Sequence, residues 1–255
     1  MVQIHGVPAF EDNYLWVIED GRHAAAVDPG DAAPVADFLD RRGLILTAIL
    51  ATHHHGDHVG GLAELAARGP VEVFGPASER IAGITRPLAG GERVTVPGLA
   101  IELDVIAVPG HTAGHIAYAG KGFVFCGDTL FAGGCGRLFE GTPAQMVGSL
   151  ATLSALPPET RVYCAHEYTL ANLKFARAVE PGNARLAERF LEANELRARG
   201  EPTVPSTIAL EIETNPFLRA HVPEVAESAA RHAGRALATP LEVFAAVREW
   251  KNTYR

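Results

Sequence analysis

The sequence predicts a layered α/β fold with helices outside packed sheets, followed by a helical C-terminal region. Three observations support this prediction. Short β-branched runs fill the first two-thirds of the 255 residues, helical segments alternate with them, and from about residue 172 the chain is mostly helical. This length suffices for one large domain or for a medium and a small one. We therefore predict an α/β domain over 1–172 and a helical domain over 173–255.

Seven segments of the first two-thirds are predicted to form strands. Each is a short run rich in apolar and β-branched residues that ends in turn-forming residues. Several runs are almost continuously apolar, as expected of strands that are covered on both faces. In chain order they are WVIED, AAAVDPG, LTAILATH, VEVFGP, IELDVIAVPGH, GFVFCGD and RVYCAH.

The predicted helices show apolar residues at a helical period and recognisable start signals. Thr142 followed by Pro143 is a favourable N-cap followed by proline in the first turn. The Pro-interrupted segment EPTVPSTIALEIETNPFLRAH is predicted to connect two C-terminal helices. The predicted helices are 33–42, 60–68 and 142–155 in the first region, and 183–199, 223–237 and 240–250 in the second.

The composition argues against several classes of protein. The net charge is −8, which argues against a broad nucleic-acid or acidic-membrane surface. No apolar run is long enough for a membrane span, and the N-terminus lacks the pattern of a secretory signal. The three cysteines, Cys126, Cys135 and Cys164, form no CxxC pair. We therefore expect reduced thiols and a cytoplasmic protein.

The motif His53-X-His55-X-Asp57-His58 carries the strongest chemical signal. Residues i and i+2 of an extended segment project to the same side, so His53 and His55 can share one cation. Asp57 and His58 follow a turn at Gly56 and can face a second cation. The motif therefore predicts metal binding.

Three further candidates follow predicted strands, at the positions where ligands gather in layered α/β proteins. His111 follows IELDVIAVPG, Asp128 follows GFVFCG, and His166 follows RVYCA. Imidazole and carboxylate ligands without cysteine suit Zn, Fe, Mn or Co in an open site. A pair of metals lowers the pKa of a shared water and so favours hydrolysis. The predicted sets are His53, His55 and His111 for one ion, Asp57, His58 and His166 for the other, and Asp128 as the bridge.

Three neighbours of these ligands have other predicted roles. His54 lies between two ligands and is expected to point away from the ions. His115 competes with His111 as a ligand, and we favour His111 because it is nearer the end of the strand. Asp28 is a candidate for orienting a ligand imidazole, and it is equally well explained as a turn residue.

These residues resemble the metallo-β-lactamase superfamily and, within it, the glyoxalase II (hydroxyacylglutathione hydrolase) family. The superfamily resemblance rests on the histidine motif with His111, Asp128 and His166 in the expected order. The closer resemblance spans nearly the whole chain. It rests on Asp12-Asn13-Tyr14, Pro109-Gly110-His111-Thr112, Gly127-Asp128-Thr129-Leu130-Phe131, Gly134-Cys135-Gly136-Arg137, Cys164-Ala165-His166-Glu167-Tyr168, Thr214-Asn215-Pro216-Phe217-Leu218-Arg219 and Arg248-X-X-Lys251.

The resemblance implies an αββα sandwich with a C-terminal helical domain. It implies an enzyme of methylglyoxal detoxification that hydrolyses the thioester S-(R)-lactoylglutathione to D-lactate and glutathione. We expect a monomer with no nucleic-acid or membrane partner. The implied nucleophile is a hydroxide that bridges two divalent metals, zinc first and iron or manganese as alternatives, with Asp57 and Asp128 in the catalytic centre. The implied glutathione-binding residues are Arg137, Phe139, Tyr168, Arg248 and Lys251, where the family often has Lys and Tyr at the first two positions.

Three alternatives remain at this point. A mononuclear iron persulfide dioxygenase would share the fold and most ligands, but the long helical C-terminal region with Arg248 and Lys251 argues against it. A phosphodiesterase or nuclease on the same core is disfavoured by the acidic net charge. A non-catalytic metal-binding scaffold is disfavoured by the intact ligand set.

Overall fold

Two mixed β-sheets face each other in a computed structural model, which describes residues 2–254. The first sheet has the strand order β1-β2-β3-β4-β5-β6, and the second has the order β14-β13-β10-β9-β8-β7. A small hairpin, β11-β12, forms a separate two-stranded sheet. The first sheet comprises Gln3–Ala9, Asn13–Glu19, His23–Val27, Ile45–Leu50, Glu72–Pro76 and Arg86–Leu88 (β1–β6). The other strands are Arg93–Thr95, Glu102–Ala107, Ile116–Gly120, Phe123–Gly127, Leu130–Phe131, Gly134–Cys135, Arg161–Cys164 and Ser206–Thr207 (β7–β14).

Five of the nine helices formed within residues 2–254 begin at a side chain that caps them. Asp31, Thr142, Asn183, Thr207 and Thr239 each accept a hydrogen bond from a backbone N–H of the first turn. Thr142 and Thr239 form full capping boxes, each followed by proline in the first turn. In order, α1–α9 are Ala32–Arg42, Gly56–Val59, Leu62–Ala66, Pro143–Ser154, Thr169–Val179, Ala184–Ala198, Ile208–Thr214, Pro223–Ala233 and Pro240–Thr253.

The alternation of side chains along β2 shows how the layers form. Trp16 and Ile18 lie in the large core cluster that also contains buried residues of the second sheet, while Leu15 and Val17 pack on the other face with residues of α1 and α3. Successive strand residues point to opposite faces, so both faces of this sheet are covered. The predicted αββα sandwich is confirmed.

The C-terminal region is helical, as predicted, and is joined closely to the sandwich. Its short strand β14 pairs with β13 at the edge of the second sheet. Phe217, Phe244 and Val247 of this region are buried in the same cluster as the residues between the sheets. The predicted boundary at residue 172 lies inside α5, and the division into 1–172 and 173–255 stays a prediction.

Several elements differ from the sequence-based expectation. The predicted helix 60–68 is shorter than expected, since only α3 forms within it, and a separate one-turn helix, α2, ends before Gly60 and Gly61. Two unpredicted helices form, α5 and α7, the latter inside the predicted connector. Among residues 2–254, no helix combines the length and the apolar character needed to cross a membrane.

Candidate metal centre and substrate cavity

The candidate ligands gather where several strands end. His53 and His55 lie in the loop after β4, and His58 lies in α2 directly beyond it. Asp128 directly follows β10, and His166 follows β13, which is parallel to β10. The left-handed conformation of Gly127 (φ 47°) turns the chain at this point, and a Cβ there would lie 2.3 Å from Thr52 Oγ1. Glycine is therefore required immediately before Asp128.

Three imidazole nitrogens converge at one position. His55 Nδ1 lies 3.1 Å from His53 Nε2 and 3.0 Å from His111 Nε2. The other ring nitrogens of His53 and His111 face Thr52 Oγ1 at 3.0 Å and the carbonyl oxygen of Arg137 at 2.9 Å. That carbonyl can only accept a hydrogen bond, so His111 Nδ1 carries the proton and Nε2 presents a lone pair toward the other rings.

A second group surrounds His58. His58 Nε2 and His166 Nε2 each lie 3.5 Å from Asp57 Oδ2. The Nδ1 atoms of these rings donate to carboxylates, at 3.1 Å to Asp28 Oδ2 for His58 and at 2.8 Å to Asp12 Oδ1 for His166. This arrangement directs both Nε2 atoms toward Asp57.

The carboxylate of Asp128 lies between the two groups. Its Oδ2 is 3.4 Å from His111 Nε2, and its Oδ1 is 3.5 Å from His58 Nε2 and 3.3 Å from His166 Nε2. Each oxygen therefore faces a different ligand set, which is the geometry expected of a bridging carboxylate.

The donor atoms fit metal ions. Three sets of side chains place one potential ligand atom each within 4.8 Å of the others: His53, His55 and His111; His53, His58 and Asp128; and Asp57, His58 and His166. His58 Nε2 and Asp128 Oδ1 are buried and have no hydrogen-bond partner within residues 2–254. Buried polar atoms are nearly always satisfied, so these two orphaned atoms and the converging lone pairs indicate a cation. The chain therefore binds divalent metal.

Electrostatics differ between the two halves of the centre. Burial, together with the neighbouring histidines, lowers the pKa of His53 well below its usual value. Burial also acts to lower the pKa of His58, but the charges of Asp128 and Asp28 outweigh it and raise the pKa to about 9. The group around His58 thus carries an excess of carboxylate charge, while the set of His53, His55 and His111 consists of neutral imidazoles.

A cavity of about 510 Å³ extends from the ligands to basic side chains. His111 and Asp128 line it, and all five predicted glutathione-binding residues contribute to its wall. The ring of Tyr168 stacks on His166 at 4.6 Å, while the exposed ring of Phe139 meets His111 edge-on at 5.3 Å. Those five residues are Arg137, Phe139, Tyr168, Arg248 and Lys251.

The two basic residues of α9 have different surroundings. Arg248 is only 5% exposed, and its Nη1 donates to the carbonyl oxygen of Cys135 at 2.7 Å. Lys251 Nζ donates to the carbonyl oxygen of Ala171 at 3.1 Å. Burial and the adjacent cations, first Arg248 and then Arg137, lower the pKa of Lys251 to about 8. An anionic ligand at this end of the cavity would relieve that repulsion.

A buried polar network supports the hairpin that forms one wall of the cavity. Glu211 Oε1 accepts from Arg189 Nη2 at 2.5 Å, and its Oε2 accepts from the backbone N–H of Gly133 at 2.8 Å. Asn215 Nδ2 donates to Glu211 Oε2 and to the carbonyl oxygen of Gly134, both at 2.9 Å. Within the segment Thr214–Arg219, Asn215 therefore has a structural role, because its side-chain amide bonds the backbone of the hairpin β11-β12.

The residues that orient the ligands were only partly found from the sequence. Asp28 bonds both His58 and Thr52, so the structure places it in the orienting position considered for it. Asp12 and Asn13 contact His166 and Asp57, and only their presence in a family motif pointed to them. His115 lies outside the three ligand sets, and its Nε2 accepts from the backbone N–H of Asp128 at 3.2 Å.

Comparison with known families covers nearly the whole chain. Residues 10–166 match the model of the metallo-β-lactamase superfamily. Residues 167–254 match the model described as the hydroxyacylglutathione hydrolase C-terminus. The two matches meet directly after His166, the last candidate ligand.

Individual relatives agree with these matches. A hydroxyacylglutathione hydrolase of Alkalilimnicola ehrlichii is 58% identical over 99% of this chain and 99% of its own length. The crystal structure of ETHE1 from Myxococcus xanthus superposes with a TM-score of 0.66 at 25% identity, covering 98% of both chains. The crystal structure of TTHA1623 in a di-iron-bound form superposes with a TM-score of 0.59 at 28% identity, covering 85% of this chain and 100% of the other. The chain belongs to the hydroxyacylglutathione hydrolase family within the metallo-β-lactamase superfamily.

Proposed function

We propose that this protein hydrolyses the thioester bond of S-(R)-lactoylglutathione, releasing D-lactate and glutathione. One observation carries the proposal: a single cavity joins the candidate metal ligands His111 and Asp128 to the basic residues Arg137 and Lys251. A glutathione thioester has an electrophilic carbonyl near one end and anionic carboxylates at the other. The same cavity offers candidate metal ligands for the carbonyl and basic side chains for the carboxylates.

The proposed cofactor is a pair of divalent transition metals, with zinc first and iron or manganese as alternatives. When bound, such a pair supplies Lewis-acid polarisation of the thioester carbonyl and a water of lowered pKa. The converging nitrogens and the position of Asp128 support this assignment. The proposed ligands are His53, His55 and His111 at one site, Asp57, His58 and His166 at the other, and Asp128 between them.

The groups around these ligands orient the imidazoles in the proposed reaction. Asp28, Asp12 and the carbonyl oxygen of Arg137 hold the Nδ1 atoms of three imidazoles, which keeps each Nε2 directed into the centre. Asp57 acts as a ligand rather than as the main base. No general acid is required, because a glutathione thiol with a pKa of about 8.5 leaves readily as thiolate.

The glutathione moiety is proposed to lie along the wall formed by Arg137, Phe139, Tyr168, Arg248 and Lys251. Arg137 is exposed and able to turn toward a carboxylate. Arg248 already donates to Cys135, so its remaining guanidinium N–H groups are the ones proposed to face the ligand. Phe139 provides a ring surface without the hydroxyl that relatives often have.

The direct test is the hydrolysis of S-(R)-lactoylglutathione by the metal-loaded protein, followed by loss of thioester absorbance. We expect turnover that chelation abolishes. Oxygen consumption with glutathione persulfide, without thioester hydrolysis, would replace the proposal with the mononuclear iron dioxygenase. Cleavage of phosphodiesters alone would identify the third candidate enzyme.

The metal content gives an independent prediction. Elemental analysis of gently purified protein is expected to find close to two transition-metal equivalents per chain, because seven side chains form two ligand sets. The same measurement identifies the metal. One tightly bound iron with full activity would contradict the dinuclear assignment.

Replacing Lys251 with alanine is expected to raise KM roughly 10-fold with less than about 2-fold change in kcat. A charge-assisted hydrogen bond contributes about 1.5–3 kcal/mol, and a contact far from the reacting carbonyl is retained in the transition state. Steady-state kinetics with the thioester measure both constants. Lys121→Ala is the matched control, since this exposed lysine lies between β9 and β10. A fall in kcat at unchanged KM would assign Lys251 another role.

We also propose a cellular location and an oligomeric state. The thiols of Cys126, Cys135 and Cys164 are free and buried, which supports a reducing compartment such as the cytoplasm. The acidic balance, −8 overall, supports a small-molecule substrate rather than nucleic acid. A monomer is proposed, and light scattering after size-exclusion chromatography tests it.

A further inference from the structure

Glu79 is a buried carboxylate beside the metal centre that has no part in the proposed reaction. Its side chain is 3% exposed. Oε1 accepts from Thr112 Oγ1 at 2.5 Å and from the backbone N–H of Gly114 at 3.0 Å, while Oε2 lies 2.9 Å from His54 Nδ1. Both oxygens are therefore engaged, and each engages a different loop.

The two loops joined by Glu79 supply one complete ligand set. His54 stands between His53 and His55 in the first loop, and Thr112 directly follows His111 in the second. The spacing of about 3 Å between His55 Nδ1 and His111 Nε2 depends on how these loops lie relative to each other. A group that bonds both loops fixes this spacing directly.

The packing at Gly114 independently shows that the second loop is fitted around Glu79. A Cβ at Gly114 would lie 2.6 Å from Glu79 Cγ and 2.3 Å from Ser78 Oγ. Real Cβ atoms do not approach other heavy atoms this closely. Any larger residue at position 114 would therefore displace the loop or the glutamate.

Glu140 adds a second, more exposed contact on the same side. Its Oε1 lies 3.3 Å from His54 Nε2, and its Oε2 accepts from the backbone N–H of Ala113 at 2.8 Å. The Glu140 side chain is 38% exposed, so water competes for these contacts. Glu79 is thus the dominant connection between the loops.

We propose that Glu79 is a positioning residue that assembles the His53, His55 and His111 site and leaves the Asp57, His58 and His166 site unaffected. The second site is oriented by other residues, Asp28, Asp12 and Asn13, none of which contacts Glu79 in the hydrogen bonds described for residues 2–254. This proposal rests on the ligand assignment of the proposed function. Removal of a group that orients metal ligands typically lowers metal affinity 10- to 100-fold.

The test is a stepwise titration of demetallated protein with Co²⁺, followed by visible absorption in competition with a chelator. For Glu79→Ala we expect one of the two equivalents to bind at least ~10-fold more weakly and the other to keep its affinity. Gly114→Ala changes no charge and is expected to weaken the same equivalent. Glu79→Gln keeps an acceptor for Thr112 and Gly114 and is expected to restore most of the affinity.

The control variants distinguish a positioning role of Glu79 from a general destabilisation of the protein. Glu72→Ala removes a 43% exposed carboxylate from β5 and is expected to leave both equivalents unchanged. Circular dichroism before the titration verifies folding, and Gly114→Ala provides the result if Glu79→Ala does not fold. Equal weakening of both equivalents, or of neither, would overturn the role of Glu79. A wild-type protein that binds fewer than two equivalents would instead contradict the proposed ligand assignment.

Discussion

Replacing Asp128 with alanine is expected to lower kcat at least ~100-fold and to loosen metal at both sites. The two carboxylate oxygens face different ligand sets, with Oδ2 at 3.4 Å from His111 Nε2 and Oδ1 at 3.3 Å from His166 Nε2. The transition-state charge stabilisation supplied by a metal pair amounts to several kcal/mol. Loss of the proposed bridging group is therefore expected to affect both turnover and metal content.

Steady-state kinetics and elemental analysis of the same preparation check this expectation. Asp128→Asn retains the shape of the side chain and removes its charge, so we expect its kcat and metal content to lie between those of the alanine variant and the wild type. Asp104→Ala is the matched control, because this carboxylate is 55% exposed and pairs with Arg93 on the edge strand β7. Turnover close to that of the wild type, with both metals retained, would show that Asp128 does not bridge.

The metal centre could be predicted from the sequence because its candidate ligands follow strands. An apolar strand followed by a chelating residue is visible in a single sequence, and His111, Asp128 and His166 all have this context. The parallel pairing of β10 with β13 then brings two of these ends together. Local pattern and sheet topology agree at this edge, and the structure brings the predicted ligands together there.

The orienting residues were not accessible in the same way, since they are separated from their partners by long stretches of chain. Asp12 bonds His166 across 154 residues, and Glu79 bonds His54 across 25. Asp12 lies in a motif that was noticed only through the family resemblance, and Glu79 lies in no motif singled out from the sequence. Only the folded arrangement of the sheets identifies which acids face which imidazoles.

Two elements show how tertiary contacts override local patterns. IALEIET alternates apolar and acidic residues in a way typical of strands, yet it forms α7, with Thr207 as N-cap and Glu211 turned into the buried network. The unpredicted strand β9, IAYAG, contains residues with low strand propensity. It forms because β8 and β10 both pair with it.

The network around Glu211 predicts a large loss of stability. Glu211→Ala is expected to lower the free energy of unfolding by about 3–5 kcal/mol, because it leaves the buried Arg189 without its carboxylate partner. Arg189 is 4% exposed and Glu211 is fully buried, so water cannot replace the lost contact. The backbone N–H of Gly133 would also lose its acceptor, which would loosen the hairpin beside the cavity.

Chemical denaturation of the metal-loaded protein, followed by tryptophan fluorescence, measures this loss. Glu213→Ala is the matched control on the same helix: its side chain is 57% exposed and approaches Arg185 at only 3.9 Å, so we expect a change below about 1 kcal/mol. Glu211→Gln keeps an acceptor for the backbone N–H of Gly133, so its free energy of unfolding is expected to lie between those of the two alanine variants. If Glu211→Ala unfolded with the same free energy as Glu213→Ala, the buried pair would contribute nothing to stability. The hairpin would then depend on Asn215, whose amide donates to the carbonyl oxygens of Phe131 and Gly134.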